Sequence, residues 1–231
     1  MKTGPVHIIS LVFFLVFVIL VQAHYSEKRY LERVTVPECP WCDARDTQKD
    51  IVYIPVSSSL MRLLSPADPH FLADMLWMRT SYYFGSHALT DRKYTYLFHL
   101  LDIITDLSPE WENPYFFGAV ILPTEGNAVE DGLYLIEKGI IHHPETWELW
   151  FFKGYYLWKK QEDLIGGAEA LHRASLLPGA PVYLANLSAT LATQEGQKEL
   201  AMRFLRQALE NITDQNQRRI LMQKMEEMEN E

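Results

Sequence analysis

The sequence predicts an all-α fold made of about four helix pairs, and three features of the chain lead to this prediction. First, Pro109, Pro144 and Pro178 recur at intervals of 35 and 34 residues. Second, the same order of small and large side chains lies ahead of these prolines. Third, aromatic residues follow Pro144 at helical spacing. A repeat of this length is typical of stacked helical hairpins.

The first 23 residues are predicted to be a signal peptide or a membrane anchor. The run from Val6 to Val21 is interrupted only by the polar residues His7 and Ser10. It is shorter than the roughly 20 residues that cross a bilayer comfortably, and Ala23 stands at a suitable cleavage position. A buried core helix is a third interpretation. We expect export, with the bulk of the chain on the non-cytoplasmic side of the membrane, in the periplasm, although positive charges after the run favour the opposite orientation.

The composition indicates a compact acidic protein. The 231 residues carry a formal net charge of −9 at pH 7, and 48% of them are hydrophobic, which is ample for a core. An acidic surface repels the phosphate backbone, so no nucleic-acid partner is expected. Two cysteines are too few for a disulfide scaffold, so packing must stabilise the fold.

Residues 24–64 are predicted to be a connector, and they contain Cys39-Pro-Trp-Cys42. Residues 25–33 could continue the N-terminal helix, residues 51–56 could form a short extended piece, and residues 57–64 a brief helix. The prolines between them interrupt regular structure. The cysteines have three interpretations: a local disulfide or idle thiols, a redox site, and metal or intermolecular bonding. A thioredoxin-like site needs its first Cys at a helix N-terminus, zinc needs two further ligands, and haem attachment needs a His where Asp43 stands. We therefore expect a passive pair in an irregular segment.

Residues 65–212 are predicted to be the repeat region, with helix pairs at 69–106, 109–142, 144–177 and 180–211. In the second helix of the last three pairs, a small residue, a large apolar residue and another small residue form one face. They are Gly132, Ile136 and Gly139, then Gly167, Leu171 and Ala174, then Ala201, Leu205 and Ala208. The first pair has the bulkier residues Leu97, Leu101 and Ile104, as a terminal repeat would. Small residues let a neighbouring helix approach closely.

The first helices of the pairs carry a resemblance to a known family. After Pro144, a continuous stripe contains Trp147, Trp150, Phe151, Gly154, Tyr155 and Trp158. Trp150 and Gly154 stand four apart, as in the tetratricopeptide motif W-x2-L-G-x2-Y. In the preceding unit Gly118 is taken as the matching glycine, which places Pro114 at the Trp position. Residues 65–212 therefore resemble a tetratricopeptide-repeat protein with degenerate repeats, in which Lys153 departs from the motif.

This resemblance implies a right-handed αα superhelix whose concave groove binds an extended peptide or a partner helix. The residues expected to line the groove are Glu112, Tyr115, Glu148, Phe151, Tyr155, Lys159, Tyr183 and Asn186. The ends of such an array need capping. Residues 213–231 are predicted to be a C-terminal capping helix that packs through Ile220, Met222 or Leu221, Met225 and Met228.

Polar residues inside apolar stretches are interpreted as structural. Asp74 or Asp102 is expected to pair with Arg79 between the two helices of the first pair. His99 and Asp106 lie near them in sequence and could suggest acid–base chemistry. No nucleophile motif, phosphate loop or metal-binding pair accompanies them. No catalytic residue, metal site or cofactor is therefore predicted.

The sequence thus predicts a non-enzymatic protein-binding scaffold or adaptor, exported or tethered to a membrane, in an envelope complex. Its partners are expected to be proteins, with the membrane as a further contact if the N-terminal helix is retained. Two alternatives stay open. One is a thiol-disulfide oxidoreductase that uses Cys39 and Cys42. The other is a structural subunit that is permanently docked in a membrane complex.

Overall fold

A computed structural model describes residues 13–21, 35–36, 39–43, 57–64, 68–212 and 214–230. The chain divides into two compact units, Met1–Val52 and Tyr53–Glu231. In the first unit, residues 13–21 form helix α1. Among the described residues, no helix is long and apolar enough to cross a membrane. Residues 1–12 and 22–23, the rest of the predicted signal or anchor, lie outside the described residues.

The cysteine pair lies in a strand, so the prediction of an irregular segment was wrong. Strands β1 (Thr35–Val36) and β2 (Cys39–Asp43) form a two-stranded antiparallel sheet. Thr35 lies opposite Asp43, and Val36 lies opposite Cys39. Pro40 of β2 is compatible with this sheet, because each strand of a two-stranded sheet is an edge.

The second unit contains every predicted helix pair. Its helices are α2 (Ser58–Leu64), α3 (Pro69–Ala88), α4 (Leu97–Leu107), α5 (Glu112–Thr124), α6 (Val129–His142), α7 (Trp147–Lys160), α8 (Leu164–Ser175), α9 (Tyr183–Gln194), α10 (Lys198–Asn211) and α11 (Gln215–Asn230). The two helices of each pair contact each other, and α4 also contacts α6 while α5 contacts α7. The four pairs predicted from the proline spacing are confirmed. Pro109, Pro144 and Pro178 each lie in a connection between pairs.

Local sequence signals fix where individual helices begin and end. The Asp68 carboxylate accepts a hydrogen bond from the backbone N–H of Phe71 at 3.0 Å, which caps the start of α3. Asp163 caps α8 in the same way through the N–H of Gly166 at 2.8 Å. After α9, Gly196 adopts a φ of +72°, a conformation that other residues rarely tolerate.

Small residues of the predicted repeats lie at close contacts between helices. A Cβ added at Gly154 of α7 would lie 2.7 Å from Leu171 Cγ and 2.9 Å from the carbonyl oxygen of Gly167, both on α8. A Cβ at Gly139 would lie 3.1 Å from Leu149 Cδ1. Ala174 is fully buried. The small–large–small pattern therefore marks the contact faces of the second helices.

Helix α11 packs against α10, as a cap would. Leu221 and Met228 are buried, and Met225 packs against the same core cluster. Ile220 and Met222 are instead 55% and 57% exposed, so they do not belong to the packed face that the sequence predicted. The difference arises because residues 221, 225 and 228 share one helix face, and residues 220 and 222 lie on either side of it.

Asp102, which was predicted to pair with Arg79 inside the first helix pair, pairs with Lys138 instead. The Lys138 ammonium of α6 lies 2.6 Å from a carboxylate oxygen of Asp102 and 2.6 Å from one of Asp106, both on α4. Asp102 thus links the second helices of two successive pairs. Asp74, the alternative candidate for pairing with Arg79, is exposed. The predicted contact inside the first pair is replaced by a contact between pairs, because α4 and α6 are neighbours.

Candidate partner-binding surface

A row of partly exposed side chains follows helix α7. Phe151, Tyr155 and Lys159 recur every four residues and therefore share one face. The rings of Phe151 and Tyr155 stack with centroids 6.1 Å apart, and Tyr155 is 38% exposed. Lys159 is exposed, and its ammonium lies 3.6 Å from the centroid of the Trp158 ring. Glu148 is half-buried at the start of the row.

Tyr115 is not part of this surface, and the prediction that it lines the groove was wrong. Its side chain is fully buried, and its hydroxyl donates a hydrogen bond to the Pro109 carbonyl at 3.2 Å. Trp150 donates to the Pro144 carbonyl at 3.0 Å in the same manner. Each donor lies six residues after its proline, so Tyr115 occupies the position of Trp150. Burial also raises the pKa of the Tyr115 hydroxyl.

This equivalence shifts the register of α5 by one residue. Ala119, rather than Gly118, corresponds to Gly154, and Phe116 and Val120 correspond to Phe151 and Tyr155. Val120 is 41% exposed and Phe116 is half-buried. The sequence already contained the signal for this register, because Tyr115 and Trp150 lie at the same distance from their prolines.

Phe116, Val120, Phe151 and Tyr155 form what we call the aromatic row. Its two halves belong to neighbouring helices, because α5 contacts α7. Phe116 and Val120 were not predicted from the sequence, whose pattern favoured Glu112 and Tyr115 on α5. The row presents apolar and aromatic area beside the charged side chains of Glu148 and Lys159, an arrangement that suits binding of an apolar segment.

Contacts with neighbouring residues hold the side chain of Glu112 in place. Its carboxylate accepts a hydrogen bond from the Thr146 hydroxyl at 3.2 Å and lies 3.4 Å from Nδ1 of His143. The other ring nitrogen of His143 lies 3.1 Å from the carbonyl oxygen of Pro109. Glu112 therefore ties the start of α5 to the connection between α6 and α7.

Tyr183 and Asn186, the two groove residues predicted on α9, do not occupy positions equivalent to the aromatic row. Tyr183 is 57% exposed, and Asn186 is half-buried one turn later on α9. The side-chain oxygen of Asn186 is buried without a hydrogen-bond partner among the described residues. The residues 34 positions after Phe151 and Tyr155 are alanines 185 and 189, and both are buried. The row therefore spans α5 and α7 and does not continue onto α9.

Asp102 and Asp106, the acidic residues of α4, both form ion pairs with Lys138. Burial opposes ionisation of Asp106, but hydrogen bonds from Lys138 and Ser58 outweigh it and hold the pKa of this carboxyl below its ordinary value. The Ser58 hydroxyl donates to Asp106 at 2.6 Å and so attaches α2 to α4. Within the ranges that the structure describes, no group of three His, Cys, Asp or Glu side chains meets in the way that a metal site requires.

Comparisons with known proteins find similarity to solved structures, but no protein-family model and no curated protein matches the chain. One similar solved structure is titled "MamA RS-1 ArsTM double mutant". It is 17% identical, covers 68% of this chain and 95% of its own chain, and has a TM-score of 0.40.

Proposed function

We propose that the protein is a non-enzymatic scaffold of the tetratricopeptide type, with a right-handed superhelix of helix pairs that binds another protein. The observation that carries this proposal is the aromatic row, which repeats at equivalent positions of α5 and α7. Aromatic side chains that stay partly exposed on a rigid support commonly supply most of the binding energy of an interface. They lose little conformational entropy on binding, because packing already holds them.

The test is a substitution in the aromatic row with a matched control. Tyr155→Asp places a charge on the row, whereas Tyr134→Asp places it on an exposed tyrosine of α6, which is 52% exposed. The tagged full chain is purified from its own cells, and the bound protein is quantified by mass spectrometry. Tyr155→Asp should reduce capture about tenfold or more, since a charge must be desolvated at the contact. Tyr134→Asp should leave capture unchanged.

Two results would contradict the proposal. One is an equal loss of capture in both variants while circular dichroism shows both folded. The other is sensitivity confined to residues 1–23, which would favour a subunit docked through its N-terminus. Val120→Asp gives an independent check on α5, because it changes the row without touching the stacked rings of α7.

Export is the part of the proposal that rests on the sequence alone. The apolar run at residues 6–21 supports an exported or membrane-tethered protein of the cell envelope, with its bulk on the non-cytoplasmic side. Protease added to intact spheroplasts should digest the repeat region. Protection of that region until the cells are lysed would contradict export.

The scaffold is also favoured over the oxidoreductase by the placement of the cysteines. Cys39 begins strand β2, and Cys42 lies within it. In the part of the chain that the structure describes, neither cysteine therefore stands at a helix N-terminus, whose amide dipoles lower the thiol pKa in thioredoxin-like sites.

A further inference from the structure

A buried histidine joins the second helices of the third and fourth pairs. His172 of α8 is buried, and its imidazole stacks on the Phe204 ring of α10 with centroids 4.0 Å apart. Its Nε2 lies 2.7 Å from the side-chain oxygen of Gln207, also on α10. Because an amide oxygen only accepts, Nε2 carries the proton of the neutral ring and donates the hydrogen bond. The imidazole is therefore a polar contact between α8 and α10.

The other ring nitrogen determines which protonation state this position tolerates. Nδ1 is buried and has no hydrogen-bond partner among the described residues. In the neutral ring it is only a lone pair, whereas a protonated ring would place a second N–H and a positive charge there. A buried donor without an acceptor and a buried charge without a counter-charge each cost free energy. The packed arrangement of α8 and α10 therefore favours the neutral imidazole.

The groups around His172 do not offset this cost. Burial is the main influence that lowers the pKa of His172, the hydrogen bond to Gln207 opposes it, and the positive charge of Arg173 on α8 acts in the same direction as burial. On α10, the facing groups are Phe204 and Gln207, and neither titrates. Helix α9, which also packs on α8, carries no charged residue, and the charged residues of α7 do not contribute to the shift.

Helices α10 and α11 have few other attachments to the third pair. Helix α10 packs mainly against α9 and α11. The buried residues of α11 are Leu221 and Met228. In an array of helices each element is held by its immediate neighbours, so the loss of one contact has a local effect. A change at His172 should therefore act first on α10 and α11.

We propose that His172 is an acid-sensitive switch: a second proton on its imidazole releases α10 and α11 from α8 and α9, while helices α3 to α7 keep their packing. In the released state the imidazole lies in water and binds a proton with the ordinary pKa of about 6.5. Between pH of about 7.5 and about 5, the population of the released state should therefore rise by up to about thirtyfold. The switch lies on α8 and α10, so it stands independently of the aromatic row on α5 and α7.

Hydrogen–deuterium exchange of the full chain, read by mass spectrometry at pH of about 7.5 and about 5, measures this release helix by helix. After correction for the intrinsic effect of pH on amide exchange, peptides from α10 and α11 of the wild type should lose protection by up to about thirtyfold on acidification. Peptides from α5 and α6 should keep theirs. His172→Gln should keep α10 and α11 protected at both pH values, and His142→Gln, at an exposed histidine, should behave as the wild type.

Two results of this experiment would overturn the switch. One is an equal loss of protection in the wild type and in His172→Gln, which would assign the effect to another group. The other is a loss of the same size in α5 and α6, which would show that the whole array unfolds together.

A second variant keeps the test independent of how well His172→Gln folds. Gln207→Glu changes an exposed residue and supplies a carboxylate that can pair with the protonated imidazole. The acid-induced loss of protection in α10 and α11 should then be several-fold smaller than in the wild type. A loss as large as in the wild type would show that the charge on His172 does not drive the release, and would overturn the proposal.

Discussion

At the scale of single residues, one buried histidine couples the stability of the fold to pH. The His172 imidazole of α8 stacks on Phe204 of α10, with ring centroids 4.0 Å apart. Its Nε2 lies 2.7 Å from the side-chain oxygen of Gln207, which accepts the N–H. Nδ1 is buried without a partner among the described residues. Burial lowers the pKa of His172, the hydrogen bond to Gln207 opposes this shift, and neighbouring Arg173 adds to it.

We expect this histidine to destabilise the protein as the pH falls below about 6.5, the ordinary pKa of histidine. In the window below that value the unfolded chain binds a proton that the folded chain does not, so the free energy of unfolding decreases. His172→Gln removes this loss. The melting temperature of the wild type should therefore fall more than that of the variant between pH of about 7.5 and about 5. His142→Gln, at an exposed histidine, controls for removal of an imidazole. If the melting temperatures of the wild type and of His172→Gln fall equally with pH, His172 does not couple stability to pH.

At the scale of helices, the repeat depends on how closely the first and second helix of a pair approach. Gly154 and Gly167 face each other across α7 and α8, and the nearest atoms to an added Cβ at Gly154 include backbone of α8. Backbone of a packed helix cannot move aside as a flexible side chain can. Gly85 of α3 is the opposite case, because nothing lies within 4 Å of its added Cβ.

The same substitution should therefore have opposite effects at these two glycines. Gly154→Ala should destabilise the protein by about 1–3 kcal/mol through overpacking. Gly85→Ala should stabilise it by about 0.5–1 kcal/mol, because alanine has the higher helix propensity and meets no neighbour. Chemical denaturation followed by circular dichroism measures both. Destabilisation of equal size at both sites would show that the spacing between helices does not determine the change in the free energy of unfolding.

The sequence was sufficient for the helix pairs and insufficient for the contacts between them. The proline interval and the faces through Ile136 and Leu171 are local patterns, and they predicted which helices exist. The one-residue shift that places Tyr115 in the core was readable from its distance to Pro109, but the tetratricopeptide motif, aligned on Gly118, pointed to the other register. The link from Asp102 to Lys138 joins residues 36 positions apart, so helix packing had to be known first.

At the scale of the whole molecule, the chain has two units, and the cysteine pair and the aromatic row belong to different ones. Cys39 and Cys42 lie in the unit Met1–Val52. The helix pairs form their own core, in which residues such as Leu171, Leu184 and Leu205 are almost completely buried. The stability of the repeat region should therefore not depend on the cysteines.

The double variant Cys39→Ser, Cys42→Ser should keep the melting temperature of the helical unit and its capture of the partner. A loop closed between two residues so near in sequence restrains the unfolded chain very little. Thermal circular dichroism and quantitative purification measure the two properties. The opposite result is tested by measuring the rate of thiol alkylation as a function of pH. A thiol pKa well below about 8.5, together with turnover of a disulfide substrate, would identify an oxidoreductase.

Equivalent positions of successive first helices are proposed to form one binding surface. Site-specific photo-crosslinking in living cells tests it most directly, with a photoreactive residue placed at Val120, at Tyr155, or at the exposed Glu169 of the second helix α8. Val120 and Tyr155 should crosslink to the same partner protein, because α5 and α7 are neighbours, and Glu169 should not. Crosslinking to that partner from Glu169, with none from Val120 and Tyr155, would show that the partner binds elsewhere on the repeats and not on the aromatic row.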